Sequence, residues 1–385
     1  MDFELNDDQT AFADMAQAFA QNEMAPYAAH WDQEQIFPVD MLKKAGELGF
    51  CGVYSPEDVG GLNLSRLDAS IIFEQLAMGC TSTTAFITIH NMATWMIAHF
   101  GNEETRQHWC PRLTAGEILA SYCLTEPNAG SDAGALKTTA KREGDQYILN
   151  GSKTFISGAG ATDVLVVMAR TGDDGPGGIS AFALDANTTG ITYGRKEEKM
   201  GWNSQPTRLI NFDNVAIPAA SLLGNSGDGF KIAMMGLDGG RINIATCSIG
   251  TAQAALDKAI EYIGERKQFG RTLDSFQALQ FKIANMTTEL VAARQMVRLG
   301  ASKLDAKHAD RSTYCAMAKR FATDIGFSVC DEALQLLGGY GYIKEYPMER
   351  YLRDTRVHRI LEGTNEIMNV IIARRMLLKN AAAIL

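Results

Sequence analysis

Residues that break secondary structure are unevenly spread along this chain, and that unevenness constrains its fold more than any other feature. From about Ser121 the sequence falls into short apolar or alternating runs: Tyr147-Ile148-Leu149, Asp163 to Ala169, Ile179 to Leu184 and Leu209 to Phe212. Gly144-Asp145, Asn150-Gly151, a loop from Gly172 to Gly178 and Pro206 punctuate them. Runs of this length between such breakers predict several short strands, antiparallel neighbours in a sheet or barrel. No long helical run separates them, which argues against a doubly wound nucleotide fold.

On both sides the period is helical. Asn6 and Asp7 can cap a helix carrying Phe12, Met15, Ala16 and Phe19, and Ser65 with Asp68 resembles a capping box before Ile71, Ile72 and Leu76. Gly49 and Gly101 fall where helices should stop. The uncharged stretch from Gln75 to Asn102 contains Thr81, Ser82, Thr83, Thr84, His90, Asn91 and His99, so it reads as buried helix rather than a bilayer span. His90 and His99 are expected in the core or at an interface. Towards the C-terminus, Arg241 to Arg266, Gln277 to Leu304 and Ser312 to Leu337 are long amphipathic runs, and a last helix should follow Gly363. The expected class is α+β: an N-terminal all-helical domain (residues 1–120), a middle antiparallel β-barrel or sheet domain (121–232) and a C-terminal four-helix bundle (233–385).

Charge and cysteine content narrow the setting. Lys and Arg number 36 against 45 Asp and Glu, a net charge of −9, which argues against a nucleic-acid surface while permitting a local basic pocket for phosphate. The first basic residue is Lys43, so neither a secretory nor a transit peptide is expected. The 7 cysteines form no CxxC, and reduced buried thiols in a cytoplasmic protein are the expectation.

Several familiar chemistries are missing. No GxGxxG follows a strand, and there is no GxxxxGK[ST], GxSxG, HExxH or pair of ExxH motifs. Four segments stand out instead: Tyr122-Cys-Leu-Thr-Glu-Pro-Asn-Ala-Gly-Ser-Asp132, Gly151-Ser-Lys-Thr-Phe-Ile-Ser157, Arg266-Lys-Gln-Phe-Gly270 followed by Phe276-Gln277, and Leu361-Glu-Gly-Thr-Asn-Glu366. The first offers hydroxyls and exposed amides that can cradle an anion or a flat polar ring. Each alone could be structural.

In this order and spacing the four segments resemble the acyl-CoA dehydrogenase family, over essentially the whole chain. Trp31-Asp-Gln, Phe37-Pro-Val-Asp40, Cys80-Thr-Ser-Thr-Thr84, Ile89-His-Asn-Met92, Gly201-Trp-Asn-Ser-Gln-Pro-Thr207 and Gly239-Gly-Arg-Ile-Asn-Ile-Ala245 resemble its short branched-chain branch. That likeness implies an FAD-dependent oxidoreductase of valine catabolism, acting on a short branched thioester such as isobutyryl-CoA. Another short or 2-methyl-branched acyl-CoA, or an oxidase or monooxygenase on the same scaffold, stays open, as does a non-catalytic helical assembly protein.

The resemblance also implies residue roles. Glu362 matches the base that removes the α proton while the β hydrogen leaves as hydride to flavin N5. Some relatives carry the base just before the arginine matching Arg241; here that position is Gly240, which cannot serve. A free Glu titrates near ~4.3, so an apolar pocket should raise it towards ~6–7. Tyr122, Leu124, Thr125, Gly130 and Ser131 are expected on one side of FAD, with Phe155, Ile156 and Ser157 approaching its ring from another. The family often has Trp where this chain has Phe155, which weakens the inference about how the electron acceptor, electron-transferring flavoprotein, docks. Arg266, Phe269, Phe276 and Gln277 should reach the FAD of a neighbouring subunit in a homotetramer. Gln335, Gly338 and Gly339 are expected at the adenosine end, and Thr364 and Glu366 near the cofactor. Ser131, Asp238, Arg241, Gly363 and Arg374 are the expected CoA-thioester contacts. Arg241, placed at a helix start, should need an anionic or carbonyl partner.

Overall fold

The computed structural model describes residues 4–378. Six helices come first: α1 (Asp7–Phe19), α2 (Ala25–Gln33), α3 (Val39–Glu47), α4 (Arg66–Gly79), α5 (Thr81–Phe100) and α6 (Glu103–Thr114). Capping fixes two of the starts. Asn6 accepts from the Gln9 amide at 2.8 Å while the Gln9 side chain accepts from the Asn6 amide, and Ser65 and Asp68 reciprocate in the same way.

The uncharged stretch is two helices, not one. Cys80 is extended at φ −155° and ψ 109°, separating α4 from α5. The hydroxyl-bearing run Thr81 to Thr84 explains the break, because such side chains compete for backbone partners and favour a new helix start. His90 is in the core: its Nε2 faces the Leu113 carbonyl at 2.9 Å, its Nδ1 accepts from the Ala120 amide at 3.1 Å, and burial pulls its pKa down to about 4. No helix among the described residues is long and apolar enough to cross a membrane.

The middle part is a sheet of β1 (Ala120–Cys123), β2 (Thr139–Glu143), β3 (Gln146–Ser157), β4 (Val164–Arg170), β5 (Ile179–Asp185), β6 (Ile191–Tyr193), β7 (Thr207–Pro218) and β8 (Leu222–Leu223). Its ladder runs β6-β7-β3-β2-β4-β5-β8, with β1 beside β4, and does not close, so the sheet alternative holds and the barrel does not. Most pairs are antiparallel, but β1 pairs with β4 in parallel, as does one residue pair of β2. The antiparallel expectation fails there because β1 leads into a long loop rather than a hairpin. β4 is buried on both faces. Val164, Val166 and Met168 pack with α5, while Leu165, Val167 and Ala169 point into the β domain's own core. This period-two split clamps the sheet onto the helices.

The last part holds α7 (Gly229–Glu265), a small hairpin of β9 (Lys267–Gln268) and β10 (Arg271–Thr272), α8 (Gln277–Asp305), α9 (Arg311–Leu337), α10 (Met348–Arg356) and α11 (Asn365–Leu378). Ile242, Ile249, Leu256 and Ile263 recur every seven residues along α7 and meet Met286, Leu290, Ala293 and Val297 of α8 in one core. Ala318, Ala322 and Ala333 of α9 keep that packing close. The four expected helices are present, with the short α10 added between α9 and α11. One expectation is corrected here: α7 starts at Gly229, so Arg241 lies about three turns inside it and the helix-start argument for its partner lapses.

Candidate active site

Glu362 sits in the turn between α10 and α11. Its φ is +57° and that of Gly363 is +88°, two left-handed residues in succession. For a glutamate this conformation costs about 1–2 kcal/mol, so something must hold it. The Arg241 Nε donates to the Glu362 carbonyl at 3.4 Å, and Lys319 Nζ donates to the Gly363 carbonyl at 2.9 Å. Thr364 Oγ1 then accepts from the Ile367 amide at 3.3 Å and starts α11.

The carboxylate end is enclosed. Its Oε2 is buried with no hydrogen-bond partner, and a Cβ on Gly240 would lie 2.4 Å from it. Gly240 is therefore more than a position without a base: its bare Cα is the space that Glu362 occupies. Burial pushes the Glu362 pKa up to about 7, against the nearby charges of Arg241 and Lys319. If Glu362 serves as a general base it must be ionised to work, and kcat/KM should then fall as pH drops through about 7 and level off above it. A pH–rate profile checks this; an acid limb at the ordinary carboxylate value would contradict it.

Arg241 finds its partner three residues away on the same helix. Its Nη1 pairs with Asp238 Oδ1 at 2.7 Å, and Ser312 donates to Asp238 Oδ2 at 2.5 Å. Both charged residues are buried, and burial raises the Asp238 pKa despite Arg241. Arg374 is exposed on α11, ~13 Å along the helix from Asn365.

A second group lies on the sheet. The Thr154 amide donates to the Thr125 carbonyl at 2.9 Å, tying β3 to the segment that carries Leu124, Thr125, Gly130 and Ser131. At the same place β3 has a bulge against β7, between Lys153 and Ile156. The bulge puts Phe155 at φ +56° and leaves the residue 67% exposed, while Ile156 turns into the core and offers the site only its main chain. Ser157 receives the Ser121 hydroxyl at its carbonyl, at 2.6 Å. Below the segment lies a buried ion pair. Lys153 Nζ donates to Glu126 Oε1 at 2.8 Å and to the Leu124 carbonyl at 2.9 Å. Glu126 also accepts from the Lys137 and Thr138 amides at 2.6 and 2.9 Å. Tyr122 joins this group to the first. Its hydroxyl is enclosed without a hydrogen-bond partner; burial raises its pKa well above the ordinary value, and Glu362 acts on it in the same direction.

The third group is separate. Arg266, Gln335, Gly338 and Gly339 line a cleft of ≈ 510 Å³ with Tyr262 and Tyr340, and no residue of the Glu362 group lines it. Arg266 lies 5.7 Å from the Tyr340 ring, and a Cβ on either glycine would meet nothing within 4 Å. Phe269, 93% exposed at the tip of the β9–β10 hairpin, packs edge-on to Phe276, just before Gln277. Within one chain, then, these residues do not complete the Glu362 site. Thr364 and Glu366 flank Glu362 by sequence, and Glu366 is exposed.

Three contributors escaped the sequence reading. Glu126 and Lys153 lie within motifs already singled out, but nothing in their spacing marks them as partners. Lys319 lies in an ordinary amphipathic run and gave no signal.

Residues 6–117, 121–215 and 227–377 match the N-terminal, middle and C-terminal domains of acyl-CoA dehydrogenase. The chain is 54% identical to mitochondrial isobutyryl-CoA dehydrogenase of Bos taurus over 373 residues, which are 97% of this chain and 90% of that protein. It superposes on butyryl-CoA dehydrogenase from Megasphaera elsdenii with a TM-score of 0.95 at 39% identity, covering 98% of this chain and 100% of the other. A structure of PigA with FAD and proline aligns with a TM-score of 0.95 at 29% identity, again over 98% and 100%.

Proposed function

The chain belongs to the acyl-CoA dehydrogenase family, and from that premise we propose that it oxidises a short branched acyl-CoA such as isobutyryl-CoA, with Glu362 as the base. The observation that carries this is the enclosed Glu362 carboxylate, unpartnered at Oε2 and with a pKa of about 7. Beside it, Leu361 packs against a small apolar cluster of Ala77, Ala85, Trp202, Ile244 and Cys247.

FAD fits the residues present. The enclosed Tyr122 hydroxyl lacks a partner, Gly130 has open space around it, the Phe155 ring is presented outward, and Arg266 offers a fork-shaped cation in an open cleft. Tyr122, Leu124, Thr125, Gly130, Ser131, Phe155 and Ser157 would hold it from their own chain, with Arg266, Phe269, Gln277 and Gln335 to Gly339 serving a neighbour's. Bound FAD supplies the acceptor for the β hydrogen, taken as hydride. The chain's own residues do the rest. Glu362 takes the α proton. Its main-chain N–H, in a left-handed turn, would donate to the thioester oxygen as negative charge develops there. Asp238 and Arg241 would contact the CoA thioester.

Assembly as a homotetramer is supported by large exposed apolar side chains on the C-terminal part, among them Phe269, Phe281 and Tyr342. Arg266→Ala should weaken FAD retention by ~10–100-fold, the weight of a charge-assisted hydrogen bond, and loosen assembly with it. Flavin absorbance and light scattering after gel filtration check both; full flavin content in a stable monomer would defeat the reading. We take electron-transferring flavoprotein as the acceptor and the cytoplasm as the location, the latter because all seven cysteines are free and buried.

Substrate choice is tested with isobutyryl-, 2-methylbutyryl-, butyryl- and octanoyl-CoA. Isobutyryl-CoA should exceed octanoyl-CoA in kcat/KM by at least ~10-fold. Equal or reversed preference would reject the branched short-chain reading and leave the family assignment intact.

A further inference from the structure

Lys319 lies in the first third of α9 and is 0% exposed. Its Nζ donates to the Gly363 carbonyl at 2.9 Å and to Asn365 Oδ1 at 2.8 Å. Asn365 is itself fixed, donating to Asp324 Oδ1 at 3.0 Å and to Thr323 Oγ1 at 3.1 Å. Both acceptors of Lys319 are neutral, so its charge is not cancelled by a direct ion pair. The other charges around it are already engaged. Arg241 is paired with Asp238, and Asp324 with Arg359 at 2.7 Å. Glu366 is solvated at the surface. His358, from the turn after α10, is held neutral by its burial. The remaining anion facing Lys319 is Glu362.

We propose that Lys319 is the positioning residue of the Glu362 site: it clamps the left-handed turn through the Gly363 carbonyl, and beside Arg241 it is a second cation that favours the ionised carboxylate. This rests on Glu362 being the base. The two roles are separable, since one needs a hydrogen-bond donor and the other a cation. Burial drives Lys319 down to about 7 and Glu362 up to about 7, and each charge favours the other. Taking the cation away should therefore raise the Glu362 pKa and move the acid limb of kcat/KM to higher pH.

The test uses flavin-loaded protein and two variants. Lys319→Met removes donor and charge; Lys319→Gln removes the charge but keeps a donor for the Gly363 carbonyl. Both should shift the acid limb up by ~1 unit or more, giving about a tenfold loss of kcat/KM near neutral pH. The plateau at high pH should be lower for Lys319→Met than for Lys319→Gln. The protonated-carboxyl infrared band that disappears in Glu362→Gln gives a readout independent of turnover, and its midpoint should rise in both variants. Lys319→Gln is close to lysine in volume, so it keeps the test open if Lys319→Met does not fold. A folded, flavin-loaded Lys319 variant with the wild-type acid limb and band midpoint would overturn the proposal. If Glu362→Gln abolishes turnover in that case, the base assignment survives and the Lys319 role alone falls. If Glu362→Gln turns over normally, both fall.

Discussion

Glu362→Gln is expected to slow single-turnover flavin reduction by ~10²–10⁴-fold, the contribution of a positioned general base. The substitution keeps the shape of the side chain and removes the basic lone pairs. What sets the geometry is outside the carboxylate: the Lys319 and Arg241 bonds run to main-chain carbonyls, and the space against Gly240 is unchanged. The main-chain donor at 362 therefore stays in place. Thioester binding, measured by titration with a non-reacting CoA thioester, should remain within a few-fold of wild type. A loss confined to kcat would show that the missing interaction belongs to the transition state. Burying an amide costs less than burying a carboxylate, so the variant should melt no lower than wild type. Near wild-type reduction would remove Glu362 from the mechanism.

Lys153→Met is expected to destabilise the middle domain by ~3–5 kcal/mol, because it leaves Glu126 enclosed without its cation. Lys153 has 0% and Glu126 8% of its side chain exposed. Burial opposes ionisation of Glu126, yet Lys153 and the amide donors outweigh it and hold its pKa below the ordinary value. Remove the lysine and only the Lys137 and Thr138 amides support that charge. The Leu124 carbonyl loses its donor as well, so flavin should be released at lower denaturant than the remainder of the protein unfolds. Replacing both partners, as in Lys153→Met with Glu126→Gln, should recover part of the loss, since no uncompensated charge remains. Flavin fluorescence against denaturant follows it. A single variant as stable as wild type would mean that the pair is not holding the segment.

Much of the fold was legible because it depends on neighbours in sequence. The Ser65–Asp68 capping box, the Gly144-Asp145 hairpin between β2 and β3, and the start of α11 after Gly363 are each written within a few residues. Glu362 was legible through the motif around it. The parallel β1–β4 pairing was not, because it joins residues about forty positions apart and period alone carries no strand direction. α10 escaped because its nine residues follow the breakers Gly338, Gly339, Gly341 and Pro347. Lys153–Glu126 and Lys319–Gly363 escaped for a related reason: a buried lysine looks like a surface one until the element facing it is known. Gly240 was read as the absence of a base, and the packing shows that its bare Cα leaves room for the Glu362 carboxylate.

The most direct measurement is anaerobic mixing of the flavin-loaded protein with one equivalent of isobutyryl-CoA, following oxidised-flavin absorbance and the mass of the product. Dehydrogenation through Glu362 predicts rapid bleaching and a thioester lighter by two hydrogens, with both lost in Glu362→Gln. Flavin that stays oxidised in the wild-type protein, or a bleached sample whose thioester is unchanged or hydroxylated, would contradict it.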